Sequence, residues 1–321
     1  MTFKNASKKF LNVLVKRKAL AFVILLLVIM PFVNKTFYTT YNIMDLLKSA
    51  TIYEVAACGV TMAIIAGGCD LSVGHNMTLS GIVTILLMPY LPLWLCVLIS
   101  LFIGCVIGFI NGYLCVRWKT EPFIITLGMD MLLKGICQQL TDASPVTGTV
   151  PAFMKFGNAK VFGVIPSIAL VMLAVIIISY IIMRYTPFGR NLYAIGGDYE
   201  VAVYSGIKVI RTKWIAFVIS GFAAALSGIL LSARMNSGSS LYGDTTALTV
   251  NCGAVIGGTS FSGGQGGIIE TVIGIFVFTL LENCMNMAGI SAYVQQLLKG
   301  IIIVAIIAID CYEQKVKAET V

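Results

Sequence analysis

Residues 93–116 read LWLCVLISLFIGCVIGFINGYLCV, without a single Asp, Glu, Lys or Arg. As a helix, at 1.5 Å per residue, this run is about 36 Å long, enough to cross a hydrocarbon core of about 30 Å. Runs of the same character recur on both sides of it. Hydrophobic residues make up 58% of the 321-residue chain and charged ones 11%, whereas a soluble domain carries about a quarter of its residues as charges. The solvent implied is lipid, and the fold implied is an all-α polytopic transmembrane bundle.

Ten spans are expected, at 19–34, 50–68, 73–90, 93–116, 122–140, 164–183, 213–233, 245–257, 268–288 and 293–310. The first and eighth are short. The fifth, PFIITLGMDMLLKGICQQL, carries Asp130 and Lys134, which share a helical face and are expected to pair with each other. Residues 1–321 read as one transmembrane domain, with an N-terminal tail at 1–18, a polar loop at 184–212 and a C-terminal tail at 311–321. After the apolar run at 19–33, Pro31 to Lys35 read PFVNK and offer no small-x-small cleavage site. The run is therefore expected to be the first anchor.

Basic residues gather in the 1–18 tail, at Arg117 and Lys119, between Arg184 and Lys213, and in the C-terminal tail. Lys35, Lys48, Lys155, Lys160 and Arg234 fall on the opposite side of the ten-span arrangement. The positive-inside bias then puts both termini in the cytoplasm. The net charge of +8 follows from this bias. It lies in loops between spans, so we expect no nucleic-acid partner.

The nine cysteines, at 58, 69, 96, 105, 115, 137, 252, 284 and 311, contain no CxxC pair, and we expect no metal centre or disulfide framework. The single histidine, His75, cannot alone assemble a triad or a metal site, and a packing role at a helix end is expected.

Two stretches resemble each other. AIIAGGCDLSVG at 63–74 and AVIGGTSFSGG at 254–264 both lead an apolar run into Gly-Gly and end on glycine after a serine. Their positions suggest a repeat of parallel orientation, spans 2–4 against spans 8–10. Backbone released from a helix at membrane depth must line a cavity or be packed by protein. Gly67, Gly68, Asp70, Ser72 and Gly74 in the first break, and Gly257, Gly258, Ser260, Gly263 and Gly264 in the second, are the candidates for a translocation path or gate, with tight turns at the membrane face the alternative. Asp70 is expected to cap the helix that begins near Ser72.

The loop RYTPFGRNLYAIGGDYEVAVYSGIKVIRT at 184–212 is the one long polar connection away from the termini. Loops of that size in compact domains are commonly functional. Tyr199 to Tyr204, between Gly197 and Gly206, is expected to form a short exposed helix.

GGCDLSVG at 67–74, INGYL at 110–114, FIITLG at 123–128, SPVTG at 144–148, TPFGRNLYAIGGD at 186–198, SGI at 205–207 and GGTSFSGGQG at 257–266 together resemble the membrane subunits of carbohydrate-importing ABC transporters of the ribose and xylose type. The resemblance runs from about residue 59 to 310. It implies a permease subunit, not an enzyme, that passes a monosaccharide such as a ribose-like pentose, delivered by an extracytoplasmic binding protein. It further implies a bacterial plasma membrane, a second permease subunit, identical or not, and two ATPase subunits that carry the ATP and Mg²⁺, with no cofactor on this chain.

The same resemblance makes 184–212 the coupling segment, with Arg190, Gly196, Gly197, Glu200, Ala202 and Gly206 as its contact residues. The family pattern Gly-Gly-Asn-Pro-Glu-Ala-Ala-Arg keeps its spacing here, while Tyr199, Val201 and Val203 depart from it. Phe261-Ser262-Gly263-Gly264-Gln265 imitates the LSGGQ signature of ABC ATPases, but no phosphate loop ending in Gly-Lys-Ser/Thr occurs in the sequence. There is no evident catalytic set. Glu282, Asn283 and Asn286 could line an interior path or pack between helices. The alternatives in view are an ABC permease for nucleosides, branched-chain amino acids or a furanosyl signalling molecule. More remote is an ion-coupled transporter using Asp130, Lys134 and Glu270.

Overall fold

The computed structural model describes residues 18–118 and 120–319. The N-terminal tail before Lys18, Lys119, and the side chains at the C-terminal end, Cys311 among them, lie outside the described residues.

The elements run α1 (Lys18–Val33), α2 (Thr40–Ile65), α3 (Val73–Leu87), α4 (Leu93–Arg117), α5 (Pro122–Thr141), β1 (Val146–Thr147), α6 (Pro151–Asn158), β2 (Lys160–Val161) and β3 (Ile165–Pro166), then α7 (Ser167–Tyr185), α8 (Pro187–Gly197), α9 (Tyr199–Tyr204), α10 (Val209–Met235), β4 (Ser237–Gly238), α11 (Thr246–Gly257), α12 (Ile268–Met287) and α13 (Ala292–Glu319). The strands are two-residue antiparallel pairs, β1 with β4 and β2 with β3. The protein is an all-α helical bundle.

Each of the ten expected spans falls on a helix. Among the described residues six helices, α2, α4, α5, α7, α10 and α12, are long and apolar enough to cross a membrane. Apolar stretches in α1, α3, α11 and α13 are shorter. Two expectations are revised. The second helix begins at Thr40, well before residue 50, because Thr39 accepts the Asn42 N–H as a cap and Asp45 is neutralised by Arg234 at 2.7 Å. Residues 184–212 are not an open loop: α8, α9 and the first turn of α10 occupy nearly all of it. The short helix at Tyr199–Tyr204 lies where the sequence placed it.

α10 occupies the middle of the bundle, with α2, α3 and α4 packed around it. Small residues let these backbones approach, as helices in lipid require. A Cβ on Gly108 would overlap the Phe217 carbonyl, and one on Gly228 the Met77 carbonyl. The outer faces carry apolar side chains, including Leu98 and Phe102 on α4 and Leu173, Ile177 and Ile178 on α7, all exposed. This is the surface a lipid solvent calls for.

Candidate functional site

The site is built where helices stop. α2 ends at Ile65, and Gly67 takes φ +74°, so that its N–H reaches Ile64 and the Gly68 N–H reaches Ala63, a left-handed close that favours glycine. The chain then runs outside any helix or strand through residues 68–71 before α3 starts at Val73. Non-helical backbone inside a bundle needs outside partners, and side chains supply them. Thr126 of α5 donates to the Cys69 carbonyl at 3.1 Å, and Asn251 of α11 donates to the Asp70 carbonyl at 2.9 Å.

Asp70 itself is buried. One carboxylate oxygen accepts the Ser72 N–H at 3.0 Å and the Ser72 hydroxyl at 2.7 Å; the other accepts the Ser220 hydroxyl at 2.6 Å. Asn111 of α4 donates in turn to Ser72 Oγ at 2.8 Å. The expected capping role is therefore narrower than the sequence suggested. Asp70 closes the turn ahead of α3 and fastens the first break to the middle of α10, but Ser72, not Asp70, is the residue at the cap position of α3.

The second break begins at the end of α11, where Gly258 has φ +116°. The loop that follows folds back onto α2: the Gly264 N–H donates to the Ile65 carbonyl at 2.9 Å. Gly196, at the end of α8, is wedged into the same junction. A Cβ there would overlap the Ile65 carbonyl and the Gly264 nitrogen, and a Cβ on Gly263 would come within 2.9 Å of the Gly67 nitrogen and 3.0 Å of the Gly196 Cα. Tyr193 of α8 donates to the Gly266 carbonyl at 2.8 Å, and burial raises its phenol pKa above the ordinary value. Thus Gly67, Gly196, Gly263 and Gly264, drawn from three separate sequence motifs, form one backbone junction. Gly68 packs against the Phe217 ring and Gly257 against the Glu270 carbonyl of α12, while Gly74 lies against Gly243. Ser260 stays within the loop, its hydroxyl accepting from the Ser262 N–H at 3.3 Å.

Outward from the junction lies α9. Asp198 caps it by accepting the Val201 N–H at 2.9 Å. Ala202 packs inward with Ile195 and Val209, while Val201, Val203 and Tyr204 are exposed, and so are Arg190, Glu200 and Gly206. Gly197 is open to space. A cavity of about 270 Å³ separates α9 from the first break, lined by Gly67, Gly68, Cys115, Glu121, Tyr199, Lys213 and Phe217. The Lys213 ammonium stands 5.8 Å from the centre of the Tyr199 ring.

One expected pairing among the charged residues is overturned. Asp130 and Lys134 do not pair with each other. Asp130 binds His75, at 2.8 Å to Nδ1 and 3.2 Å to the backbone N–H, and Lys134 binds Asp244 at 2.6 Å. Their shared helical face is real, but two other elements present better partners. His75 is buried in the first turn of α3, as a helix-end packing residue would be, and it also bonds Asp130. Glu282, Asn283 and Asn286 hold helices together: Glu282 binds Lys299, Asn283 exchanges hydrogen bonds with Asn42, and Asn286 accepts from Gln295. Asp244 and Ser220 were missed by the sequence reading, since no local pattern marks residues whose partners lie 110 and 150 positions away. Among the described residues no group of His, Cys, Asp or Glu could hold a metal ion.

Apolar helices interrupted by two glycine breaks, with an amphipathic surface helix locked to both, define a polytopic membrane permease. The family model described as "Branched-chain amino acid transport system / permease component" matches residues 42–307, and the chain belongs to that permease family. It is 36% identical over 289 residues to the ribose import permease protein RbsC of Bacillus subtilis (strain 168), covering 89% of each chain. It is 32% identical over 304 residues to RbsC of Haemophilus influenzae, covering 93% of this chain and 94% of the relative. It is also 33% identical over 282 residues to the L-arabinose transport system permease protein AraH of Escherichia coli K12, covering 88% and 86%. No solved structure matches the chain significantly.

Proposed function

We propose that this chain is the membrane permease subunit of an ATP-driven importer for a monosaccharide, a pentose or closely related sugar. Relatives named for ribose, arabinose and allose transport support the cargo class. The observation that carries the mechanism is the junction of Gly196 with Ile65 and Gly264.

The reading assigns α8 and α9, with Arg190, Gly196, Gly197, Glu200, Ala202 and Gly206, to coupling. Val201, Val203 and Tyr204 would enter a groove on an ATPase subunit, as amphipathic helices do. ATP and Mg²⁺ belong to that partner. Two ATPases, a second permease copy or homologue, and an extracytoplasmic binding protein complete the assembly in a bacterial plasma membrane, both termini of this chain facing the cytoplasm across ten spans. Because Gly196 admits no gap, displacement of α8 must move the end of α2 and the 258–267 loop together. Gly67, Gly68, Asp70, Ser72 and Gly74 with Gly257, Gly258, Ser260, Gly263 and Gly264 would then act as the gate, a packed element with two discrete arrangements.

The test is uptake of radiolabelled D-ribose, L-arabinose and D-allose into proteoliposomes holding the permease with its ATPase and binding protein. ATP-dependent accumulation of one of them, insensitive to collapse of ion gradients, supports the reading. Accumulation that needs an ion gradient and no ATPase overturns it.

A further inference from the structure

The network of His75, Asp130, Lys134 and Asp244 is not part of the glycine junction. Asp130 stands eight residues from Pro122 and eleven from Thr141 in α5, about 12 and 16 Å of helical rise, so it sits near the middle of a crossing. Two helices begin at this level. Gly74, in the first turn of α3, touches Gly243, just ahead of α11; a Cβ on either would stand 2.5 or 2.7 Å from the other's carbonyl oxygen. Helix N-termini bring free N–H groups and positive potential to the centre of the bundle. Asp130 accepts one of those N–H groups, from His75.

Three of the four side chains are open: Asp130 is 19% exposed, Asp244 36% and Lys134 39%. Charges open at this depth require water or polar partners, which lipid cannot give. The fourth points to a ligand. His75 is 2% exposed, and with Nδ1 engaged by Asp130 its buried Nε2 has no hydrogen-bond partner. It stands 3.4 Å from the Asp244 oxygen that already takes Lys134. No hydrogen bond within the protein satisfies Nε2 there. A hydroxyl, donor and acceptor at once, relieves that arrangement, and neighbouring hydroxyls on one ligand suit two carboxylates beside an ammonium.

We propose that this network is a hydroxyl-binding waypoint midway along the translocation path, where a polyhydroxylated cargo exchanges water for protein hydrogen bonds. The proposal rests on the sugar-permease reading. Its test uses the complete importer in proteoliposomes, with whichever of D-ribose, L-arabinose and D-allose the wild type accumulates fastest. Lys134→Gln and Asp244→Asn are each expected to lower the sugar moved per ATP hydrolysed roughly tenfold. A merely structural ion pair would lower uptake and hydrolysis together and leave that ratio unchanged, overturning the proposal. In a second measurement, Lys134→Cys in a background without the native cysteines is expected to react with a charged, membrane-impermeant thiosulfonate, and the sugar is expected to slow the reaction. A thiol that stays unreactive, sealed by lipid or a second copy, or one the sugar does not protect, overturns it as well. If the wild type accumulates none of the three sugars, the sugar reading fails and the waypoint falls with it. If the wild type accumulates one and the variants match its ratio, the waypoint alone fails.

Discussion

The Ile65 carbonyl at the end of α2 accepts the Gly264 N–H at 2.9 Å, and Gly196 leaves no room for a side chain against the same oxygen. A surface helix, a core helix and an irregular loop thus share one backbone contact. Gly196→Ala would insert a methyl into that contact, with backbone on two sides and no flexible side chain to yield. Its neighbour Gly197 faces open space, so Gly197→Ala is the internal control. We expect Gly196→Ala to lower transport at least tenfold, a loss of about 1.4 kcal/mol or more, while Gly197→Ala stays within about twofold. Uptake in cells, normalised to membrane-inserted permease, checks both; equal effects would refute the junction.

Glu200 lies in the first turn of α9 and is exposed. A carboxylate at a helix start contributes about 0.3–1 kcal/mol, so Glu200→Arg leaves this permease folded and alters chiefly what a partner meets. Uptake is expected to fall tenfold or more while the amount of inserted protein holds. Reconstituted vesicles that keep both uptake and binding-protein-stimulated ATP hydrolysis at wild-type levels would count against coupling through α9.

Much of this was legible in the sequence, because lipid imposes long apolar runs and each expected span lies on a helix. The breaks were legible too, since Gly-Gly after an apolar run marks a left-handed close such as that at Gly67. Convergence was not. Residues 65, 196 and 264 carry no mutual pattern, and only the folded chain brings them to one point. Spacing suggested an Asp130–Lys134 pair, yet spacing gives only the energy of a helical neighbour, a few tenths of a kcal/mol. The N–H at the start of α3 and the segment ahead of α11 offered those charges better partners. Helical character within 184–212 was under-read because its glycines and polar residues mark turns as readily as short helices.

Ser220 gives the Asp70 carboxylate its bond to α10, at 2.6 Å, and both residues are buried. Ser220→Ala removes that donor and leaves a carboxylate oxygen without it. Orphaning a buried acceptor costs about 1–3 kcal/mol, so the variant should melt several degrees lower in detergent. Asp70→Asn combined with Ser220→Ala removes the charge that made the loss costly and should recover part of the difference. A Ser220→Ala melting temperature equal to wild type would show that the first break does not depend on this tether.

Asn251 ties the first break to α11. Its amide nitrogen donates to the Asp70 carbonyl at 2.9 Å and to the Ala247 carbonyl at 2.8 Å, while its oxygen accepts from Cys69 Sγ at 3.3 Å. Two substitutions of similar size separate the donor from the rest of the side chain. Asn251→Leu removes both functions and leaves the Asp70 carbonyl unpaired in a buried site, a cost of about 1–3 kcal/mol. Asn251→Asp keeps the acceptor for Cys69 but sets a carboxylate against two carbonyl oxygens, so burial of the charge adds to the lost donor. The expected order of melting temperature is therefore wild type, then Asn251→Leu, then Asn251→Asp, with uptake following the same order. Should Asn251→Asp melt with the wild type, the non-helical stretch from Gly68 to Ser72 would have to draw its support from Thr126 and Ser220.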